Sequence, residues 1–299
     1  MTGSSTLRTT WDQQRLWSVV ADRLKREIAR ARSWILTFIV ATAILETSAA
    51  QLTYLVGRTA FVPRALAMVG AVLAALAAVL HAQNRGRERL HQWTRARSAS
   101  EALKEHVYRY LTRTGKYAND ADSALTAERD RILEGVSDIL PRAAAEAVPA
   151  KDLPAVQDIA SYVKIRLAGQ IDGYYLKQAA ANARRGAIWR RVQSALLYLT
   201  AALGALVTFV PEAGLGAWVS VLTTVAGVFG AHIEAARYDH LAVSYRTTAS
   251  RLQSLCDQWN DMLSGKPLTP DEQNQFVDHC EQAISVENEA WMAGWVKGA

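Results

Sequence analysis

Residues Trp34–Val56 read WILTFIVATAILETSAAQLTYLV, and this stretch decides the fold. Its one charged residue is Glu46. At about 1.5 Å of rise per residue, a helix of this length crosses a hydrocarbon core about 30 Å thick. Three further blocks have the same character: Phe61 to about Ala82, Val192–Val210, and about Gly214 to Ile233. Arg190 and Arg191 bound the third block on one side and Pro211 on the other, and Glu234 ends the fourth. Core helices of soluble proteins carry a polar face at every turn. These blocks mostly do not. Whole-chain averages hide the segregation, because 50% of residues are apolar while mean hydropathy is near zero. The expected fold is therefore all-α: an integral membrane protein with two parallel transmembrane hairpins and long cytoplasmic helical extensions.

Basic residues give an orientation. Arg23, Lys25, Arg26, Arg30 and Arg32 precede the first block, and Arg85, Arg87, Arg89, Arg95 and Arg97 follow the second. Arg184, Arg185, Arg190 and Arg191 precede the third. The loop between the first two blocks holds only Arg58, with Arg64 just inside the second block, and the loop between the last two holds no Lys or Arg. The positive-inside rule then places both short loops outside and both termini in the cytoplasm. Trp34, Tyr54, Trp189 and Trp218 fall near block ends, where amphipathic rings favour the interface. The net charge of +6 is largely juxtamembrane and faces lipid headgroups, so it calls for no nucleic acid. A polar, charged N-terminal segment precedes the first block without a cleavage signature, so a signal peptide is not expected. The two cysteines, Cys256 and Cys280, read as buried small apolar residues and not as a disulfide.

The layout repeats. A basic segment precedes each pair of blocks and a polar helix follows it. Aligning Arg97 with Arg246 brings Leu103 onto Leu252. Residues 1–118 form the first repeat, 119–160 a linker and 161–299 the second, with breaks expected at Asn119–Ser123 and near Pro141 and Pro149–Pro154. Tyr162 to Asn182 reads as one helix leading into the third block. Thr269, Pro270 and Glu272 have the pattern of a helix start.

Trp93, Arg97, Glu101, Leu103, Lys104, Glu105, Tyr108, Tyr110, Leu111 and Tyr117 form a W-x3-R-x3-E-x-L-K-E-x2-Y-x-Y-L pattern with a further Tyr. This resembles the SLATT superfamily, the SMODS- and SLOG-associating two-transmembrane effector proteins of bacteria, in its four-span branch with two fused hairpins. Arg15–Lys25, Tyr162–Arg166 with Tyr174 and Tyr175, and Glu281 with Glu287–Trp291 extend the likeness over nearly the whole chain. The second copy departs from the pattern, with Ser250 and Gln253 at the acidic and lysine positions. The resemblance implies a pore-forming or membrane-perturbing effector in conflict or nucleotide signalling.

Glu46 is the sharpest single residue. A carboxylate at mid-span costs a few kcal/mol and faces a bundle interior or a watery cavity. Thr42, Ala49, Ala50 and Thr53 share its helical stripe. Two readings stand: this stripe lines an ion path, or Glu46 is protonated or hydrogen-bonded and acts as packing glue. Arg64 draws anions, pairs with Glu46 of a neighbouring helix, or snorkels to headgroups. Gly227 and Gly230, with Thr223, form a small-residue face suited to close helix packing. His232 ends the fourth block near the interface. In the cytoplasmic motif, Trp93, Arg97, Glu101, Lys104, Glu105 and Tyr108, with Arg246 as the counterpart of Arg97, are expected to tie helices through ion pairs and an aromatic anchor. Arg95 and Arg97 leave room for a phosphate-bearing signal. Asp120, Asp122 and Glu128 lack the spacing of a calcium loop and read as a solvated turn. Catalytic and metal motifs are missing, and Ser264-Gly-Lys266 ends a helix instead of opening a phosphate loop. The expectation is no enzyme, no cofactor and no metal. It is a homo-oligomeric channel or pore in contact with lipid, with a nucleotide signal or cytoplasmic protein partner left open. The alternative is a membrane-anchored scaffold or signalling protein without a conducting path.

Overall fold

The computed structural model describes residues 5–57, 60–83, 86–139, 148, 150–210, 214–263 and 268–297, without the side chains of 83, 86, 87 and 286–297. The sequence features at Arg58, Arg85, Pro141, Pro149, Pro211 and Ser264–Lys266, and the side chains of Arg87, Glu287 and Trp291, lie outside that description. Every regular element among the described residues is helical. In chain order these are α1 (Ser5–Val56), α2 (Phe61–Gln83), α3 (Gly86–Thr112), α4 (Ala121–Glu134), α5 (Ile159–Tyr162), α6 (Leu176–Phe209), α7 (Gly216–Ala236), α8 (Tyr238–Leu263) and α9 (Pro270–Lys297). Short 3-10 turns occupy Gly115–Tyr117 and Ser137–Ile139. Two compact units emerge: unit 1 gathers Met1–Arg26, Gly86–Ala180 and Leu241–Ala299, and unit 2 gathers Glu27–Arg85 and Ala181–His240.

Unit 2 holds the four apolar blocks. Of the most apolar 18-residue window in each of the four long helices, at most 17% is buried, and none of it in the third. Tyr54, Phe61, Tyr198 and Phe209 all stand more than three-quarters exposed. A soluble bundle would hide these faces, whereas in a bilayer the surrounding hydrocarbon covers them. All four helices are long and apolar enough to cross a membrane. Helix α7 stops at Arg237, whose left-handed backbone (φ 50°) lets its N–H reach the carbonyls of Ile233 and Glu234. That geometry usually falls to glycine.

Unit 1 is an ordinary water-type core. Along α1, Leu7, Trp11, Gln14, Trp17, Val20, Ala21 and Leu24 are buried at three- and four-residue spacing, as an amphipathic helix requires. Trp11 Nε1 donates to Asp152 O at 3.1 Å, and Gln14 Nε2 donates to the buried Ser100 Oγ at 3.0 Å. The register that sets Arg246 on Arg97 sets buried positions on buried ones: Ala96 and Tyr245, Ala99 and Thr248, Leu103 and Leu252, Val107 and Cys256, Tyr110 and Trp259. Cys256 and Cys280 are free and buried, and burial pushes both thiols up.

The stretch after α5 differs from a single regular helix. Val163–Ala168 and Ile171–Tyr175 take π geometry before α6 begins. The buried residues explain it. Leu167, Ile171, Tyr175 and Ala179 face the core at spacings of four, and a 3.6-residue turn would drift off that line. Wider i→i+5 turns hold them in register. The expected break at Asn119–Ser123 ends earlier, because Asp120 accepts from Ser123 N and caps α4, which starts at Ala121.

Candidate functional site

In unit 2 the intramembrane polar groups settle on backbone where glycine or alanine leaves room. Thr42 Oγ1 donates to Gly70 O at 3.3 Å. The Glu46 side chain lies over the same residue: a Cβ on Gly70 would stand 2.6 Å from Glu46 Oε1. A side chain there would make the Glu46 carboxyl move aside. Gln51 Nε2 donates to Gly214 O at 2.9 Å, and Gln193 Nε2 to Ala226 O at 3.3 Å. Such bonds join helices in a medium that offers no water. Threonine hydroxyls bond back to their own helices, Thr53 to Ala49 O, Thr200 to Leu196 O and Thr223 to Val219 O.

The Glu46 stripe is divided. Glu46 and Ala50 are exposed on the single chain, Thr42 and Thr53 are half-buried, and Ala49 is buried. Arg64 is exposed near the start of α2. Gly230 lies beneath Gln193, whose Nε2 would be 2.6 Å from an added Cβ. At Gly227 the structure departs from the expected close packing: nothing lies within 4 Å of where a Cβ would stand. That part of α7 faces outward. His232 packs edge-on against Trp189 at 5.0 Å and meets Tyr238 Oη at 3.3 Å, an aromatic cluster suited to the interface.

In unit 1 the motif residues converge. Trp93 is buried. Arg97 pairs with Glu101 at 2.9 Å and lies over the Tyr174 ring at 5.9 Å. Lys104 Nζ stands 3.8 Å from Glu101. Glu105 accepts from Arg109 Nε at 2.9 Å, and Arg109 also pairs with Asp278. The centre of the cluster is Arg166 with Glu281, each 1% exposed. Arg166 donates from Nε to Oε1 at 3.0 Å and from Nη2 to Oε2 at 2.7 Å, and Tyr162 Oη donates to Oε1 at 2.8 Å. The guanidinium stacks over Tyr108 at 4.7 Å. Turned to satisfy its neighbours, the Gln170 amide oxygen accepts from Arg166 Nη1 at 2.9 Å and Lys104 Nζ at 3.0 Å.

Burial and crowding set the charge states. Burial, with the nearby Arg166 and Arg97, lowers Lys104 to about 8 against the pull of Glu101. Burial works against the Glu101 carboxylate, yet Lys104, Arg97 and Arg166 hold it at about 2. Arg166 loses solvation but gains more from Glu281, so its charge is reinforced.

Other candidates have local partners. Arg95 forks onto Asp138 at 2.8 and 2.6 Å and bonds Gly135 O, so it and Arg97 serve different contacts. Asp122 accepts from Tyr110 Oη at 3.1 Å. Arg246 is exposed, and the buried neighbour Tyr245 makes that helix's core contact. Among the described residues no cluster of His, Cys, Asp and Glu is arranged to hold a metal ion. The Arg166–Glu281 pair was not foreseen as a pair. Both residues lie in stretches that carry the family resemblance, but nothing local links them.

Residues 162–291 match the family model described as SMODS and SLOG-associating 2TM effector domain 1. Residues 15–124 match a second family model, described as a protein of unknown function, DUF4231. The Trp93–Tyr117 pattern falls in the second match, while Tyr162, Arg166 and Glu281 fall in the first. No curated protein and no solved structure matches the chain. From residue 162 to 291 the chain thus carries a SLATT-family effector domain.

Proposed function

We propose that this chain is a non-catalytic subunit of a homo-oligomeric ion channel or pore in the bacterial inner membrane, with both termini cytoplasmic. One observation carries the reading: Glu46, midway along the first span, is exposed on the single chain. A charge at the centre of a span costs about 3 kcal/mol against lipid. Water in a path, or a polar group of a second copy, removes that cost, and an oligomer axis supplies both. Ala50 extends the exposed strip, with Thr42 and Thr53 at its edge. The outward Gly227 and Thr223 face of α7 suits contact between copies. The arginine-rich segments flanking the spans support the orientation, and the family description as an effector fits an action on the membrane.

Ion flux through the purified protein in liposomes tests the proposal, with and without candidate nucleotides. Flux above that of empty vesicles, and a changed rate or pH dependence in Glu46→Gln, are expected. Flux that Glu46→Gln leaves unchanged removes Glu46 from the path. An oligomer that passes no ions under any condition would overturn the channel in favour of a membrane-anchored scaffold.

A further inference from the structure

Within unit 2 a groove of about 490 Å³ opens along the side of α1 and α2. Ile35, Ile39 and Ala43 form one wall, Ala74 and Ala78 the other, and His81 stands at one end. Ala74, Ala78 and His81 are exposed, so the groove is open to its surroundings along its lip. In a bilayer those surroundings are acyl chains.

Its length matches one leaflet. From Ile35 to Ala43 a helix rises about 12 Å, against about 15 Å for half a hydrocarbon core. The groove therefore runs from the arginine-rich end of the spans nearly to mid-membrane, one turn short of Glu46. Its walls are apolar throughout, and Thr42, the one hydroxyl along them, already donates to Gly70 O. Nothing inside asks for a polar occupant.

Its end has the opposite character. His81 is the last residue but one of the span Phe61–Ala82, which brings it next to the headgroups of a bilayer that the span crosses. Arg32 precedes Ile35 by three residues and Ile39 by seven, which puts it on the same face of α1. The Arg32 guanidinium and the His81 imidazole N–H, with an apolar slot one leaflet deep, complement a phosphate and the chain attached to it. A helix about 10 Å across is too wide for a slot of this volume, which falls in the range of small-ligand sites.

We propose that this groove binds one acyl chain of an anionic phospholipid from the leaflet at the arginine-rich end, with the lipid phosphate held by Arg32 and His81. The proposal rests on the membrane placement of α1 and α2 and is independent of conduction.

The test uses the full chain in phosphatidylcholine nanodiscs with a tracer of phosphatidylglycerol carrying a diazirine on one acyl chain. After photolysis, labelled residues are mapped by mass spectrometry. Label concentrated in 35–43 and 74–81 is expected. Ala78→Phe fills the slot from its exposed lip and is expected to lower that label about tenfold, with label on α6 and helical content unchanged. Ala74→Leu gives the same result by a second route. Replacing Arg32 and His81 with Gln lowers labelling by the phosphatidylglycerol tracer but not by a matching phosphatidylcholine tracer. Label spread evenly over the exposed faces of all spans, or unaffected by Ala78→Phe, overturns the proposal. So does cross-linking between two copies through Ala78→Cys in place of lipid labelling, which would assign the groove to a neighbouring chain.

Discussion

Arg166 and Glu281 show what a single buried pair does in unit 1. Water reaches neither, so each charge depends on its neighbours. The carboxylate accepts two bonds from Arg166 and one from Tyr162, and Gln170 and Tyr108 take up the rest of the guanidinium. Removing one partner leaves an uncompensated buried charge, at about 3–5 kcal/mol. Glu281→Leu should therefore lower the stability of unit 1 by about that amount, read as the urea midpoint of the reconstituted protein. Arg166→Met combined with Glu281→Leu should recover most of the loss, because the desolvation cost of both charges disappears. If the double variant is as unstable as the single one, the pair's value lies in packing and not in charge compensation. Both residues lie in stretches that carry the family resemblance. Their pairing did not stand out, because more than a hundred residues separate them and only the packing of α9 joins them.

At the scale of elements, the start of α9 was legible and the stretch after α5 was not. Thr269 and Glu272 form the reciprocal cap that their spacing announces. Thr269 N donates to Glu272 Oε2 at 2.8 Å, and Glu272 N donates to Thr269 Oγ1 at 3.3 Å. The backbone and hydroxyl of Thr269 also hold the Glu272 carboxyl below its usual range. Thr269→Ala should cost about 1 kcal/mol. Hydrogen exchange at the first turn of α9 should speed accordingly, with little change in α4; equal rates in both proteins would show that tertiary packing alone anchors the helix end. A capping box is local chemistry over four residues, so it can be read directly. The π segments have no such signature. They arise because Leu167, Ile171, Tyr175 and Ala179 must meet one core face, and that face is made by α8 and α9.

Over the molecule as a whole, charge makes the stability of unit 1 depend on acidity. Burial lowers His106 to about 4, with Glu128 pulling the other way. In the unfolded chain it titrates near about 6.5, so between these values the unfolded state binds more protons and stability falls as pH falls. Glu101, held at about 2, contributes above about pH 4.5 and loses that contribution as pH falls toward 2. Glu105, raised by burial and Glu281, works in the opposite sense above about pH 4.5 and so blunts the first step. The urea midpoint of the reconstituted protein should therefore decline in two stages, and His106→Gln should flatten the first while leaving the second. A midpoint constant from about pH 7 to about pH 4 would mean that His106 is not neutral in the folded protein.

The sequence by itself determined the helical class and the four membrane-competent blocks. Both follow from runs of adjacent residues, and solvent acts on such runs directly: water excludes them and hydrocarbon accepts them. It also determined the local caps and the burial of both cysteines. Only the tertiary structure decided how the polar groups in those blocks are used. Glu46 lies over Gly70 and yet faces outward, Gln193 covers Gly230, and Gly227 meets nothing in its own chain. Which face of an apolar helix turns inward cannot be read from hydropathy, because every face is apolar. Hydrogen bonds and close contacts between helices distant in sequence choose it. The opening stretch, Trp34–Val56, thus announced a membrane span in its composition, while the exposure of its one carboxylate was settled by the helices beside it.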